Sequence, residues 1–244
     1  MSGHSHAKTI KHQKDLTDKK RGAIFSKVSR LISVAVKEGG PNPENNTRLR
    51  MAMEAAKNAN MPKDNVDRAI QRAIGSDSEE NLQEVSFEAY GPGGISIIID
   101  GITSNTNRAL GEVKKILSQN GGKMVGEGAV KWMFDRKGLI VLDPETQPES
   151  FKNKEKLEMT AIEAGADDMR WEENNLELYT KIEDLDGVKK KIEEMGLKID
   201  TTALGWISKE EVSLEEKEKK ANQKLFEALN ESEDVQSVFS NLKT

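Results

Sequence analysis

The chain has 244 residues, with 37 Lys+Arg, 42 Asp+Glu, three His, no Cys and a formal net charge of −5. That length accommodates about one to three compact domains and a sizeable buried core. The absence of Cys removes disulfides, thiolate zinc sites, iron–sulfur clusters and Cys nucleophiles from consideration.

Residues 1–20 are polar and aperiodic, and read as a flexible arm. Ile24, Phe25, Val28, Leu31, Ile32, Ala35 and Val36 then recur at three- and four-residue spacing, which predicts an amphipathic helix. Gly39-Gly40-Pro41 stops it. A second helix is expected after Pro43, with Leu49, Ala52, Met53 and Ala56 inward and Arg48, Arg50 and Lys57 outward. Pro62 opens a third at its first position, and Asp64 suits its positive end. Val66, Ala69, Ile70, Ala73 and Ile74 form that helix's apolar stripe, with Arg68 and Arg72 one turn apart.

An acidic, polar stretch at 76–84 reads as a linker, and beyond it the period changes. Val85, Phe87 and Ala89 alternate with Ser86, Glu88 and Tyr90, predicting a strand. The turn Gly91-Pro92-Gly93-Gly94 leads into an apolar strand at 95–102. A helix carrying Ala109, Leu110, Val113, Ile116 and Leu117 ends at Gly121-Gly122, and short strands are expected near 130–134 and 139–142. After a Pro-containing break at 143–148 a second α/β series follows. It comprises a helix near 154–164, strands near 168–173 and 176–182, a helix at 185–195 and a strand near 198–204. A charged helix at about 213–229 and a strand at 235–239 close the chain. The second series is self-contained and the first lacks partners for its sheet, so one α/β domain is read as inserted in the other. The expected fold class is α+β: an N-terminal three-helix domain (1–77), an α/β domain of ferredoxin-like type (78–139 plus 208–244), and a similar domain inserted in it (140–207).

No apolar run approaches the roughly 20 residues that a membrane helix needs. The longest, at 95–102, is interrupted by Ser96, Asp100 and Gly101. The first 20 residues lack the apolar stretch of a secretory signal. A cytoplasmic protein with no membrane partner is expected.

The net charge conceals an asymmetry. Residues 1–74 hold 15 Lys+Arg against 7 Asp+Glu, whereas the rest hold 22 against 35. A segment of +8 is thus joined to a body of −13, a split that points to polyanion binding by the amino-terminal part. Each phosphate neutralised by a cation releases condensed counterions, so such residues supply affinity with little sequence information. Base readout or stacking needs aromatics or amides aimed at bases. The first 74 residues offer only Phe25, which lies in an apolar stripe. DNA and RNA both remain open.

Material for catalysis is sparse. All three His (His4, His6 and His12) lie in the arm, so nucleophile–base pairs and His proton shuttles have nothing to draw on elsewhere. Ser2-Gly3-His4 could chelate Cu(II) or Ni(II) if Met1 were removed, but no carboxylate or second shell is fixed nearby. Gly91–Gly94 lacks the following Lys-Ser/Thr of a P-loop and lies between strands, so it reads as a turn. Asn105 caps a helix, and Arg108 beside that N-terminus could meet an anion. No enzyme, cofactor, metal or small-molecule substrate is expected.

Several stretches together resemble the YebC/PmpR family. They are Gly3-His4-Ser5, Ile10-Lys11-His12 with Lys14, Arg21-Gly22 with Ile24-Phe25, Gly39-Gly40 with Pro43, and Arg48-Leu49-Arg50. Further matches are Asn60-Met61-Pro62-Lys63-Asp64 with Arg68-Ala69-Ile70, Tyr90–Gly94, Asn105 with Asn107-Arg108, Gly121-Gly122, and Asp234-Val235-Gln236 with Ser240-Asn241. The resemblance spans essentially the whole chain. It implies a three-domain, non-enzymatic protein, either a DNA-binding transcriptional regulator or a translation activator acting on the ribosome. The chain departs from the family pattern at His6-Ala7, where a Lys-Trp pair is usual, and at Gln13, where a basic residue is usual. A stacking role for the arm is therefore not carried over.

Composition and resemblance lead to one expectation, a DNA-binding transcriptional regulatory protein, with a ribosome- or ribosomal-RNA-binding translation factor as the alternative. The candidate nucleic-acid-binding residues are Lys8, Lys11, His12, Lys14, Lys19, Lys20, Arg21, Lys27, Arg30, Arg48, Arg50, Lys63, Arg68, Arg72 and Arg108.

Overall fold

Helices α1 (Asp18–Gly39), α2 (Thr47–Asn58) and α3 (Lys63–Ile74) come first in a computed structural model that describes residues 18–75, 81–172 and 174–243, with side chains from Arg21 on. Val28, Ile32, Ala35 and Val36 of α1 meet Leu49, Ala52 and Ala56 of α2 and Val66 and Ala69 of α3 in one core. The three- and four-residue spacing thus supplies the stripes that form this core, and α1 buries Val34 outside it.

Asn46 fixes the corner between the first two helices. Its Oδ1 accepts the Leu49 N–H (3.0 Å), while Nδ2 donates to the carbonyls of Ala35 (2.7 Å) and Gly40 (2.8 Å). A Cβ on Gly39 would lie 2.7 Å from this amide, so the side chain requires Gly there. Asn46→Ala is expected to cost about 2–4 kcal/mol, through loss of the cap and two stranded carbonyls. A lower midpoint for the first transition in urea would register it.

The α2–α3 corner uses a different device. Asn60 takes a left-handed backbone (φ 53°), its N–H reaches Lys57 O, and the Met61 N–H reaches Ala56 O. This is the Schellman pattern, with Asn in the position Gly usually fills. Buried Met61 completes it by packing into the helical core.

The first sheet has the order β3-β1-β2-β8, from β1 (Gln83–Tyr90), β2 (Ser96–Thr103), β3 (Lys123–Val125) and β8 (Val235–Ser240). Helices α4 (Thr106–Gln119) and α7 (Glu216–Glu231) contribute Val113, Leu117, Leu225, Phe226 and Leu229 to a core with Ala89, Ile97 and Ile99. Ile98 and Ile102 on the opposite face of β2 are buried too. That strand therefore reads as an apolar run without alternation. Its register with β8 shifts between Asp100 and Gly101. A Cβ at Gly101 would come within 2.4 Å of Asp234 O, so only Gly permits this approach.

The second sheet has the order β5-β6-β4-β7, from β4 (Phe134–Leu142), β5 (Asp168–Glu172), β6 (Asn175–Thr180) and β7 (Thr201–Ser208). With α5 (Lys154–Ala164) and α6 (Leu185–Glu194) the chain runs βαββαβ, the ferredoxin-like sequence of elements. Leu157, Ala161, Leu185, Val188 and Ile192 of the helices are buried, as are Ile140, Leu142, Leu176 and Leu178 of the strands. Among the described residues, those up to Phe134 together with those from Ser208 form one compact unit, and Asp135–Ile207 form a second.

Several element readings are corrected. The short strand β3 is not among the expected elements, and β1 begins at Gln83 within the expected 76–84 linker, of which residues 76–80 lie outside the described residues. The strand expected near 130–134 is a loop ending in a 3₁₀ turn (Lys131–Met133), and the strand begins at Phe134. The Glu88 carboxylate captures three backbone N–H groups of that loop, so they are not available to a ladder. The strand expected at 198–204 runs instead over Thr201–Ser208. The Lys198 N–H and carbonyl are both taken by the side chain of buried Gln147 (2.8 Å each). No helix is long and apolar enough to cross a membrane among the described residues.

Candidate nucleic-acid interface

The expected cations separate into an outward set and an inward set. On α3, Lys63, Arg68 and Arg72 are exposed, away from the buried Val66 and Ala69. Arg68 Nε donates to Asp64 O (3.1 Å) and its Nη2 to Asn65 Oδ1, so the head is oriented by its own helix. Arg21 is exposed near the start of α1. Arg50 braces the chain leading into α2, donating to Pro43 O (2.7 Å), Glu44 O (3.1 Å) and Thr47 Oγ1 (2.7 Å). Arg48 is ion-paired with Glu38 and Glu84. Such surface pairs contribute at most about 1 kcal/mol and can exchange partners. Lys8, Lys11, His12 and Lys14 lie outside the described residues, as do the side chains of Lys19 and Lys20.

Lys27, Arg30 and Arg108 are engaged by the segment leading into β8: Arg30 and Arg108 on Asp234, with Arg108 still largely exposed, and Lys27 on Asn230. Arg30 Nη1 meets Asp234 Oδ1 at 2.6 Å and shares its protons with the carbonyls of Glu233 (2.9 Å) and Ile102 (3.1 Å). Arg108 Nη2 spans both oxygens of Asp234 at 3.2 and 3.1 Å. Asp234 is only 4% exposed and its backbone carbonyl accepts the Ile102 N–H (2.8 Å). The Asp234 carboxylate thus ties α1 to α4 at the start of β8, while its backbone carbonyl ties the same point to β2. Arg108 keeps half its side chain in solvent, and its N–H is capped by Asn105 Oδ1 (3.0 Å) as expected.

Lys27 Nζ donates to Asn230 O at 2.7 Å. Burial, then the neighbouring Arg30, push its ammonium down to about 8, with Glu233 opposing. Between that value and the ordinary 10.5 the unfolded chain holds a proton that the folded chain has lost, so stability rises with pH across this window. Lys27→Met is expected to melt at higher temperature than the wild-type chain at pH 7. The gap should close between pH 8 and 10 in parallel thermal scans.

Two further residues carry structure that the sequence reading did not single out. Glu88, 4% exposed on β1, accepts the N–H groups of Gly128 (2.6 Å), Val130 (2.6 Å) and Lys131 (2.9 Å). Burial alone would raise its carboxyl, but those donors and the Lys131 charge hold it below the ordinary carboxylate range. The stability it contributes is present above about pH 4.3, the ordinary Glu value. It is lost as pH falls through the depressed folded value. The loop so fixed presents Trp132, 67% exposed, with its indole N–H on Ala129 O (3.1 Å). Among the described residues no cluster of three or more His, Cys, Asp or Glu could hold a metal ion.

Comparison with known proteins gives a consistent result along the whole chain. The family model for the TACO1/YebC protein N-terminal domain matches residues 5–76, and that for the TACO1/YebC second and third domain matches residues 82–242. A probable transcriptional regulatory protein of Natranaerobius thermophilus is 43% identical over 241 residues, 99% of this chain and 96% of the relative. One from Halothermothrix orenii is 40% identical over 242 residues, covering 99% and 94%. A crystal structure of a conserved hypothetical protein, Aq1575 from Aquifex aeolicus, matches with a TM-score of 0.88 at 39% identity, over 98% of this chain and 97% of that one.

Proposed function

Because the chain belongs to the TACO1/YebC family, we propose that it is a non-enzymatic nucleic-acid-binding regulator, and specifically a DNA-binding regulator of transcription. The names of its relatives support the regulatory role. The observation that carries the nucleic-acid part is the outward set of cations on the helical bundle. Lys63, Arg68 and Arg72 stand exposed on α3, in a segment whose charge balance is +8. Cations so placed contact phosphates and set affinity and register, leaving sequence choice to other groups or to duplex shape.

Gel shift at physiological salt tests this reading. A promoter fragment should be retained and preferred over a scrambled duplex of equal length; equal, weak retention of both would refute a sequence-selective regulator. The ribosomal alternative draws on the −13 balance of residues 75–244, which disfavours long duplex contact beyond the bundle. Cosedimentation with ribosomal particles, lost when Lys8, Lys11 and Lys14 become Glu, would move the function to translation.

A further inference from the structure

Three tryptophans occur in the chain, and two have occupied rings. Arg136 lies over Trp206 at 5.0 Å and Lys154 over Trp171 at 4.4 Å. Trp132 is different, since two-thirds of it is in solvent. An exposed indole usually sits on a mobile side chain, but this one is fixed from several directions. Its Nε1–H is held by Ala129 O, and its carbonyl accepts from Lys209 Nζ (2.9 Å). The Met133 N–H closes the turn on Val130 O (2.9 Å), and Met133 O accepts the Lys209 N–H (2.9 Å). Behind them, Glu88 grips three amides of the same loop. The ring is therefore pre-organised, with its polar edge satisfied and its face uncovered.

We infer that the open face of Trp132 stacks on an unpaired nucleobase, a contact outside the amino-terminal helical bundle. The inference rests on the nucleic-acid-binding reading above and adds what that reading lacks, a group able to engage a base. Stacking needs a flat apolar surface that does not have to be ordered on binding, and a cation nearby for the adjoining phosphate. Lys131 adjoins Trp132 in the chain, and Lys209 Nζ is held at the Trp132 backbone carbonyl. Lys131 also borders a hollow of about 320 Å³ lined by Phe87, Leu110 and Met124 together with Glu88 and Glu127. A base pair in a duplex has its faces already stacked, so the site selects single strands, loops and bulges.

The test uses the full chain with three probes at low ionic strength: a twelve-nucleotide oligouridylate, the corresponding oligothymidylate and a hairpin duplex. Anisotropy gives affinity, and tryptophan emission gives stacking. Emission should be quenched by the single strands, and the quench should vanish in Trp132→Phe, whose ring still stacks but does not report. Trp132→Ala should bind single strands about 10-fold more weakly, with under 2-fold change on the duplex. Trp132→Phe should stay near wild type. A preference for the RNA or the DNA strand identifies the source of the base. Binding of the intact chain without quench, or equal single-strand affinity in Trp132→Ala, overturns the stacking inference alone. Absence of binding to all three probes overturns it together with the nucleic-acid-binding reading. Because the indole is exposed, Trp132→Ala should melt with the wild-type chain, and the Phe variant controls for any loop disturbance.

Discussion

Asp234→Ala is expected to destabilise the first compact unit by about 3–5 kcal/mol, the range for breaking a buried pair on one side. The carboxylate is 4% exposed, and two guanidinium groups and two carbonyls converge with it. Removing it leaves Arg30 with its charge in a half-closed site, met by two carbonyls and, at 3.4 Å, by the exposed carboxylate of Glu233. Asp234→Asn should do nearly as much harm, because its amide hydrogens would face the donors of Arg30 or Arg108. Arg108→Ala should cost about 1 kcal/mol or less, since that side chain is 55% exposed and water replaces it. Urea unfolding followed by circular dichroism measures the order. Equal losses in the Asp234 and Arg108 variants would deny the carboxylate its central place.

The second large effect concerns binding. Converting Lys63, Arg68 and Arg72 together to Glu should lower affinity for nucleic acid by roughly 50–100-fold at 0.2 M salt. Three lost phosphate contacts each forfeit the counterion-release contribution, and the dependence of log K on log salt should flatten by about 2.7. All three side chains are exposed, so the melting temperature should hold. Arg30→Met makes the contrast: its group is committed to Asp234, so it should lower stability and leave the salt slope unchanged. Titrations by anisotropy at 50, 100 and 200 mM salt separate the two behaviours. An unchanged slope in the triple variant would remove α3 from the interface.

Periodicity made the helical bundle legible because Ile32, Leu49 and Val66 fall where spacing alone puts them, although Val34 of α1 is buried off that stripe and Ile74, expected within the α3 stripe, is 51% exposed. The charge asymmetry likewise needed only counting. What spacing could not reveal are contacts in which a polar side chain meets backbone distant in sequence. Glu88 occupies the outward step of an alternating strand and reads as solvated, yet its partners are amides some 40 residues on. Gln147 similarly displaced the start of β7 by taking both polar groups of Lys198. Lys27 and Arg30 lie on the polar side of α1, as helix periodicity requires, and only the long-range arrival of Glu233 and Asp234 turns them inward. Their residue type announced a cation without announcing whom it would meet. Trp132 was hidden by the same loop, since a residue expected within a strand draws no notice as a displayed ring.

The position of α7 and β8 in the chain has a temporal consequence. Ile97, Ile99, Val113 and Leu117 are made early, whereas Leu225, Phe226, Leu229 and Val235, which cover them, are made last. At about 5–20 residues per second, the intervening unit is translated while that early apolar surface has no cover. It emerges from the exit tunnel sticky and must wait several seconds, so growing chains halted before α7 should be the species that chaperones hold and proteases cut.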